Sequence, residues 1–165
     1  MRTTRTAAAI TLLACTATLS IATSSISQAM SCDQPINGSF TAISDGQWSK
    51  TREVRQNQAT IITTWTITSE CDDVMHCAGH VSSMQGWSSE LRCQSGQWYT
   101  THRVENWQPC PDGTTTHGDQ SFRFWRVTHQ PESFKGYDRT IGPSGGCGVN
   151  QWLTIEMPLT LIEII

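Results

Sequence analysis

The 165-residue chain carries 11 basic and 14 acidic side chains, a formal charge of −3, with 37% hydrophobic and 8% aromatic residues. An acidic balance without a basic run argues against nucleic acid or an anionic membrane surface as partner. The length fits one domain with a single core.

The chain opens on a short segment charged only at Arg2 and Arg5, followed by the uncharged apolar stretch Ala7 to Ala22 and the polar "SSISQA". Ser27 and Ala29 stand at the spacing a signal peptidase favours, so residues 1–29 read as a secretory signal. The stretch is thinned by threonine and serine. A spanning helix needs about 20 predominantly apolar residues, so no stable membrane insertion is expected once the signal is removed. Cys15 in "LLAC" suggests a lipid-attachment site, but few apolar residues precede it and apolar character continues after it. Removing 29 residues from 165 leaves a domain of 136, residues 30–165. It keeps nine of the basic and all 14 acidic side chains, a charge of −5.

Beyond the signal the elements read as strands and turns. "NG" at Asn37 and "SDG" at Ser44 mark the first turns. "KTREVRQNQ" (50–58) is one of two runs expected to form a helical turn. "TIITTWTIT" (60–68) alternates, with Ile61, Thr63, Trp65 and Ile67 on one face. "ECDDVMHCAGH" (70–80) follows as a loop. "QGWSSELRC" then places Trp87, Ser89, Leu91 and Cys93 together, and "QWYTTHRVENW" does the same for Trp98, Thr100, His102 and Val104. In "SFRFWRVT", Phe122 and Phe124 oppose Arg123, and Trp125 and Val127 oppose Arg126. "QPESFKGY" (130–137) is the second expected helical turn. "GPSGGCG" from Gly142 is a turn, and "LTIEMPLTLIE" ends the chain with Leu153, Ile155, Met157, Leu159 and Leu161 on one face. Pro158 makes this an edge, bulged or bent closing strand.

About eight short strands at hairpin spacing predict an all-β domain, a small antiparallel meander closing into a calycin-like up-and-down β-barrel. A β-sandwich is the alternative. Such a barrel is filled by its side chains or holds one small ligand. Seven tryptophans suit either a core or an aromatic binding surface. The predicted lining is Trp65, Trp87, Trp98, His102 and Phe124.

Six cysteines remain after the signal: Cys32, Cys71, Cys77, Cys93, Cys110 and Cys147. An even set in a small exported domain reads as a disulfide framework, and six allow 15 pairings. Cys71 and Cys77, His76 or His80, and Asp72 or Asp73 would be the ligand set of a zinc site. Their cysteine spacing is wrong and no second pair completes it, so no metal or other cofactor is expected. A Cys71–Cys77 staple closing a hairpin loop is preferred, with Ile67 and Val81 on the flanking strands. Cys93 should be tied to a neighbouring strand or crossing loop, and Cys110 and Cys147 should make long-range ties. The other partners stay open.

Catalysis has little support. "GPSGG" fits G-x-S-x-G around Ser144, but no helix pattern follows as a nucleophile elbow requires. His76, Asp112 and Ser144 reproduce the chain order of a chymotrypsin-like triad, with Pro143 where that family carries aspartate and a chain too short for two barrels. Asp72 and Asp73 look solvated, Glu90 and Glu105 fall on outer faces, and no carboxylate reads as an acid held in an apolar pocket.

"NGSFTAISDGQW", "TTWTITSEC", "CAGHVSSMQGW", "NWQPCPDG" and "IGPSGGCG" together resemble a family of small secreted mycobacterial proteins of unassigned activity. The resemblance implies export and a β-rich disulfide domain, and supplies no active-site residue. The expected protein is secreted, or associated with the cell envelope, and non-enzymatic, binding a small apolar ligand, an envelope component or a protein. A hydrolase using Ser144 and a purely structural, antigen-like barrel are the alternatives.

Overall fold

The structure, a computed structural model, describes Cys32, residues 34–73 and residues 76–165, with Pro131 by its backbone alone. The signal expected over residues 1–29 lies outside the described residues, as do Met30, Ser31 and Asp33 of the expected domain.

Among the described residues ten strands form one antiparallel sheet. They are β1 (Gly38–Ser44), β2 (Lys50–Thr51), β3 (Val54–Arg55), β4 (Ile61–Cys71), β5 (Cys77–Ser83), β6 (Ser88–Gln94), β7 (Gln97–Pro109), β8 (Thr115–Val127), β9 (Gln130–Ile141) and β10 (Thr154–Glu163). Strands β4 to β10 pair in chain order, β1 pairs with β4, and β10 returns to β1. Eight strands thus close a barrel, and the β2–β3 hairpin hangs from β10. Closure satisfies every edge of the meander, which an open sheet of this length could not do. The up-and-down barrel is the fold expected from the alternation.

Pro158 lies where β10 changes partners. Ile155 and Glu156 pair with β2, whereas Leu159 to Glu163 pair with β1. A proline is tolerated at such a junction, and β10 is the bent closing strand.

Three local expectations are corrected. The run 50–58 is no helical turn. Lys50–Thr51 pairs with Val54–Arg55 around Arg52 (φ 51°) and Glu53 (φ 65°), the left-handed pair of a tight hairpin. The run 130–137 lies within β9, with Phe134 and Gly136 inward and Lys135 and Tyr137 outward. Neither segment is long enough to repay helix nucleation, while neighbouring strands offer unpaired ladders. Finally, β8 keeps one phase through Trp125. This ring lies outside, 5.9 Å from Tyr137, and Arg126 takes the inner phase over the Phe134 ring.

The barrel is filled at one end. Ile36, Phe40, Ile67, Leu91, Phe124 and Phe134 are each at most 2% exposed there. Phe134 meets Phe40 and Phe124 edge to face at 5.8 and 5.9 Å. Cys32 ties the segment before β1 to Cys93 on β6, across 61 residues. Cys71 bonds Cys77 at the β4–β5 loop, where Ile67 lies opposite Val81. Cys110 bonds Cys147, joining the β7–β8 turn to the loop before β10.

Candidate functional site

The other end of the barrel is hollow. A cavity of about 550 Å³ opens there, within the range of small-molecule sites. Five strands contribute the continuation of their inner faces: Ala42 and Ser44 from β1, Thr63 and Trp65 from β4, His102 and Val104 from β7, Phe122 from β8, and Asp138 and Thr140 from β9. β10 adds Ile155 and Met157. The same period of two that fills one end therefore lines the other.

Aromatic rings wall the cavity. Trp65 is buried, and its ring meets Phe122 edge to face at 4.7 Å and Trp87 at 5.4 Å. Trp87 stacks flat on His102 at 4.1 Å, and both rings lie nearly parallel to Phe122. The β5–β6 turn places Trp87: Gly86 takes φ 88° and donates to the Ser83 carbonyl, while Ser83 N–H donates to the Trp87 carbonyl. Gln85 and Gly86 of this turn also line the mouth.

Trp107 is a wall that alternation does not reveal. Its number would set it on the outer face with Arg103 and Glu105. The β7–β8 register shifts between Val104 and Gln108, with Asn106 at φ 54°, and this bulge turns Trp107 inward. Gly118 makes room for it, since a Cβ there would fall 2.7 Å from Trp107 Cδ2 and 2.6 Å from Thr140 Cγ2.

One charged group is buried in this wall, contrary to the expectation that no carboxylate would be. Asp138 is 1% exposed. Ser44 Oγ donates to its Oδ2 at 2.7 Å, and Gln120 Nε2 to its Oδ1 at 2.7 Å. Burial raises its pKa above the ordinary aspartate value, and the two hydrogen bonds oppose that rise. The signal in the sequence was the period of two through Phe134, Gly136, Asp138 and Thr140.

His102 is the second titratable group in the wall. Desolvation lowers its pKa, against smaller opposing effects of the Arg103 carbonyl and the Gln120 side chain. Its Nδ1 lies 3.2 Å from the Arg103 carbonyl, which can only accept, so the neutral ring keeps its proton on Nδ1. Nε2 is buried without a hydrogen-bond partner, as is Trp65 Nε1. Arg103 and Glu105 stand exposed at the rim, and Arg103 Nε donates to Asp119 at 3.0 Å.

The pH dependence of stability follows from Asp138. Its folded pKa lies above its unfolded one, so between the two values the folded chain holds more proton than the unfolded chain. Asp138 therefore erodes stability as pH rises through that window. Asp138→Asn preserves shape and both partners, and should be more stable than wild type at neutral pH with that part of the slope removed. Urea denaturation across a pH series checks this. A variant less stable at neutral pH would mean that the bonds to the ion outweigh its burial.

Of the predicted lining residues, Trp65, Trp87 and His102 line the cavity, whereas Trp98 and Phe124 are buried in the filled end. Trp48 and Trp152 are more than half exposed. In the 70–80 loop the two cysteines are consumed by their disulfide. His76 Nδ1 pairs with Asp73 Oδ2 at 2.9 Å, which raises the His76 pKa. Asp72, Asp73 and His76 are exposed, and Val74 and Met75 lie outside the described residues. Ser144 is exposed on the loop after β9. Asp112 accepts from Thr114 N and Oγ1, and His76 pairs with Asp73, so the acid and the base of the triad order are bonded to other residues and not to each other.

No family model matches the chain, and no curated protein does. Among solved structures it is similar to the monomer form of the M. tuberculosis PknI sensor domain. The TM-score is 0.60 at 12% identity, over 79% of this chain and 88% of that one. At that identity the likeness is one of fold: both chains share the β architecture.

Proposed function

We propose that the protein is a secreted, non-enzymatic binding module that takes a small, largely apolar ligand into the hollow end of its barrel. The observation that carries this reading is the cavity itself, with stacked Trp87, His102 and Phe122 on its wall and Trp65 beneath. A barrel with only a structural role gains from filling its interior, because an empty apolar lining forfeits dispersion contacts and stability. Here one half is filled and the other is open to solvent at its mouth.

Export is supported by the leader pattern of residues 1–29 and by three disulfides, which persist in oxidising compartments. Among the described residues no helix is long and apolar enough to cross a membrane. The fold likeness to a sensor domain accords with a ligand-binding role.

A neutral environment-sensitive dye such as Nile red tests the reading. Its emission should rise on titration with the oxidised protein. Trp87→Ala should weaken that binding about tenfold or more while leaving the melting temperature within a few degrees, since Trp87 is only partly buried. No dye uptake by the wild type, or uptake indifferent to Trp87, would remove the cavity from consideration as the site.

A further inference from the structure

The polar part of the cavity says which small molecules it suits. Asp138 is the one acidic side chain buried in its wall among the described residues, and both carboxylate oxygens keep lone pairs beyond those used by Ser44 and Gln120. Among the described residues no cation pairs with it. Arg103 is exposed at the rim and committed to Asp119. His102 lines the same wall, and with its proton on Nδ1 it offers an acceptor at Nε2. A buried carboxylate without a counter-charge is expensive, and a ligand that brings a positive charge offsets that cost. The walls suit the same ligand. Trp65, Trp87, Trp107 and Phe122 present π systems, whose faces attract cations most strongly where water is excluded.

Resting on the binding-module reading, we propose that the cavity selects organic cations: small molecules with a protonated amine or quaternary ammonium on an apolar or aromatic body, with Asp138 as counter-ion. The ammonium is held between the Asp138 carboxylate and the aromatic faces, and the apolar body fills the space beside Val104, Ile155 and Met157. Neutral ligands of the same shape enter without repaying the buried charge, and anions are repelled by it.

The selectivity follows pH. Asp138 faces Ser44 on β1, Phe122 and Gln120 on β8, and Met157 on β10, none of which is charged. The other titratable groups of the cavity among the described residues are His102 on β7 and Arg103 and Glu105 at its rim. Acid neutralises Asp138 and charges His102, and both changes disfavour a bound cation. Amine affinity should therefore fall as pH is lowered, and affinity for a neutral analogue should not.

A matched trio of naphthylmethylamine, naphthylmethanol and naphthoate, titrated calorimetrically into the oxidised wild-type protein, provides the test. The amine should bind about tenfold or more tighter than the alcohol at neutral pH, with naphthoate weakest. The amine advantage should shrink between about pH 7 and pH 4, where carboxylates titrate. Asp138→Asn should bring amine and alcohol together while still binding the alcohol. Equal binding of amine and alcohol by the wild type overturns the cation assignment and leaves the binding module standing. Survival of the preference in Asp138→Asn moves the counter-ion elsewhere and overturns it too. If none of the three binds, the binding-module reading falls with it. The wild-type pH series decides the matter even if the variant does not fold.

Discussion

Replacing Cys32 and Cys93 together by serine should cost about 4 kcal/mol, because the bond closes a loop of 61 residues and loop-closure entropy grows with loop length. For a domain of this size that corresponds to a fall in melting temperature of roughly 15 °C. The bond does more than restrict the unfolded chain. It holds the segment before β1 against the filled end, where Cys32 and Ile36 are buried and Ile36 N–H donates to Ser69 Oγ at 2.7 Å. Replacing Cys71 and Cys77 should cost about 2 kcal/mol, since that loop spans only six residues. Thermal melts of the two double variants under oxidising conditions compare them directly. Equal losses would mean that native contacts at the filled end, and not loop length, set the stability.

Phe124→Ala should lose about 3–5 kcal/mol, the usual cost of deleting a fully buried phenylalanine. Its ring has no exposed surface, packs on Phe134, and lies 6.2 Å from Trp65. It forms part of the floor that separates the filled end from the hollow one. The loss should appear as a lower urea midpoint with an unchanged slope, because the fold is kept and a cavity is created in it. A change below about 1 kcal/mol would show that Phe124 faces open space, as a lining residue would. Trp87→Ala should behave in the opposite way, with a small loss of stability and a large loss of dye binding. The pair of variants separates floor from wall.

Much of the barrel was legible because a strand with one buried face must alternate. β4, β6 and β7 put Trp65, Leu91 and Trp98 inside with the faces read from their spacing, and Pro158 marked the closing strand correctly. The alternation failed where backbone geometry intervened. Trp107 lies within the bulge around Asn106, where residues 105 to 107 stand opposite residue 117 alone, and strict alternation is suspended there. β2 has two residues, too few for any pattern, and the opening of β9 carries Pro131, Gly136 and charged residues that read as a turn, so pairing with neighbouring strands decided both.

By itself, the sequence determined an all-β disulfide domain, the staple at Cys71 and Cys77, and the inner faces of most strands. Those depend on neighbours close along the chain and on a period of two. Which end of each inner face is packed and which is open was decided only in three dimensions. Trp65 and His102 share inward parity with Trp98 and Phe124, and parity carries no information on height along the barrel axis. That height depends on strand stagger and closure. The pairing of Ser44, Gln120 and Asp138 arises the same way, from three strands whose residues are 18 to 94 positions apart. A carboxylate in the cavity wall is therefore a product of register, visible once β1, β8 and β9 stand side by side.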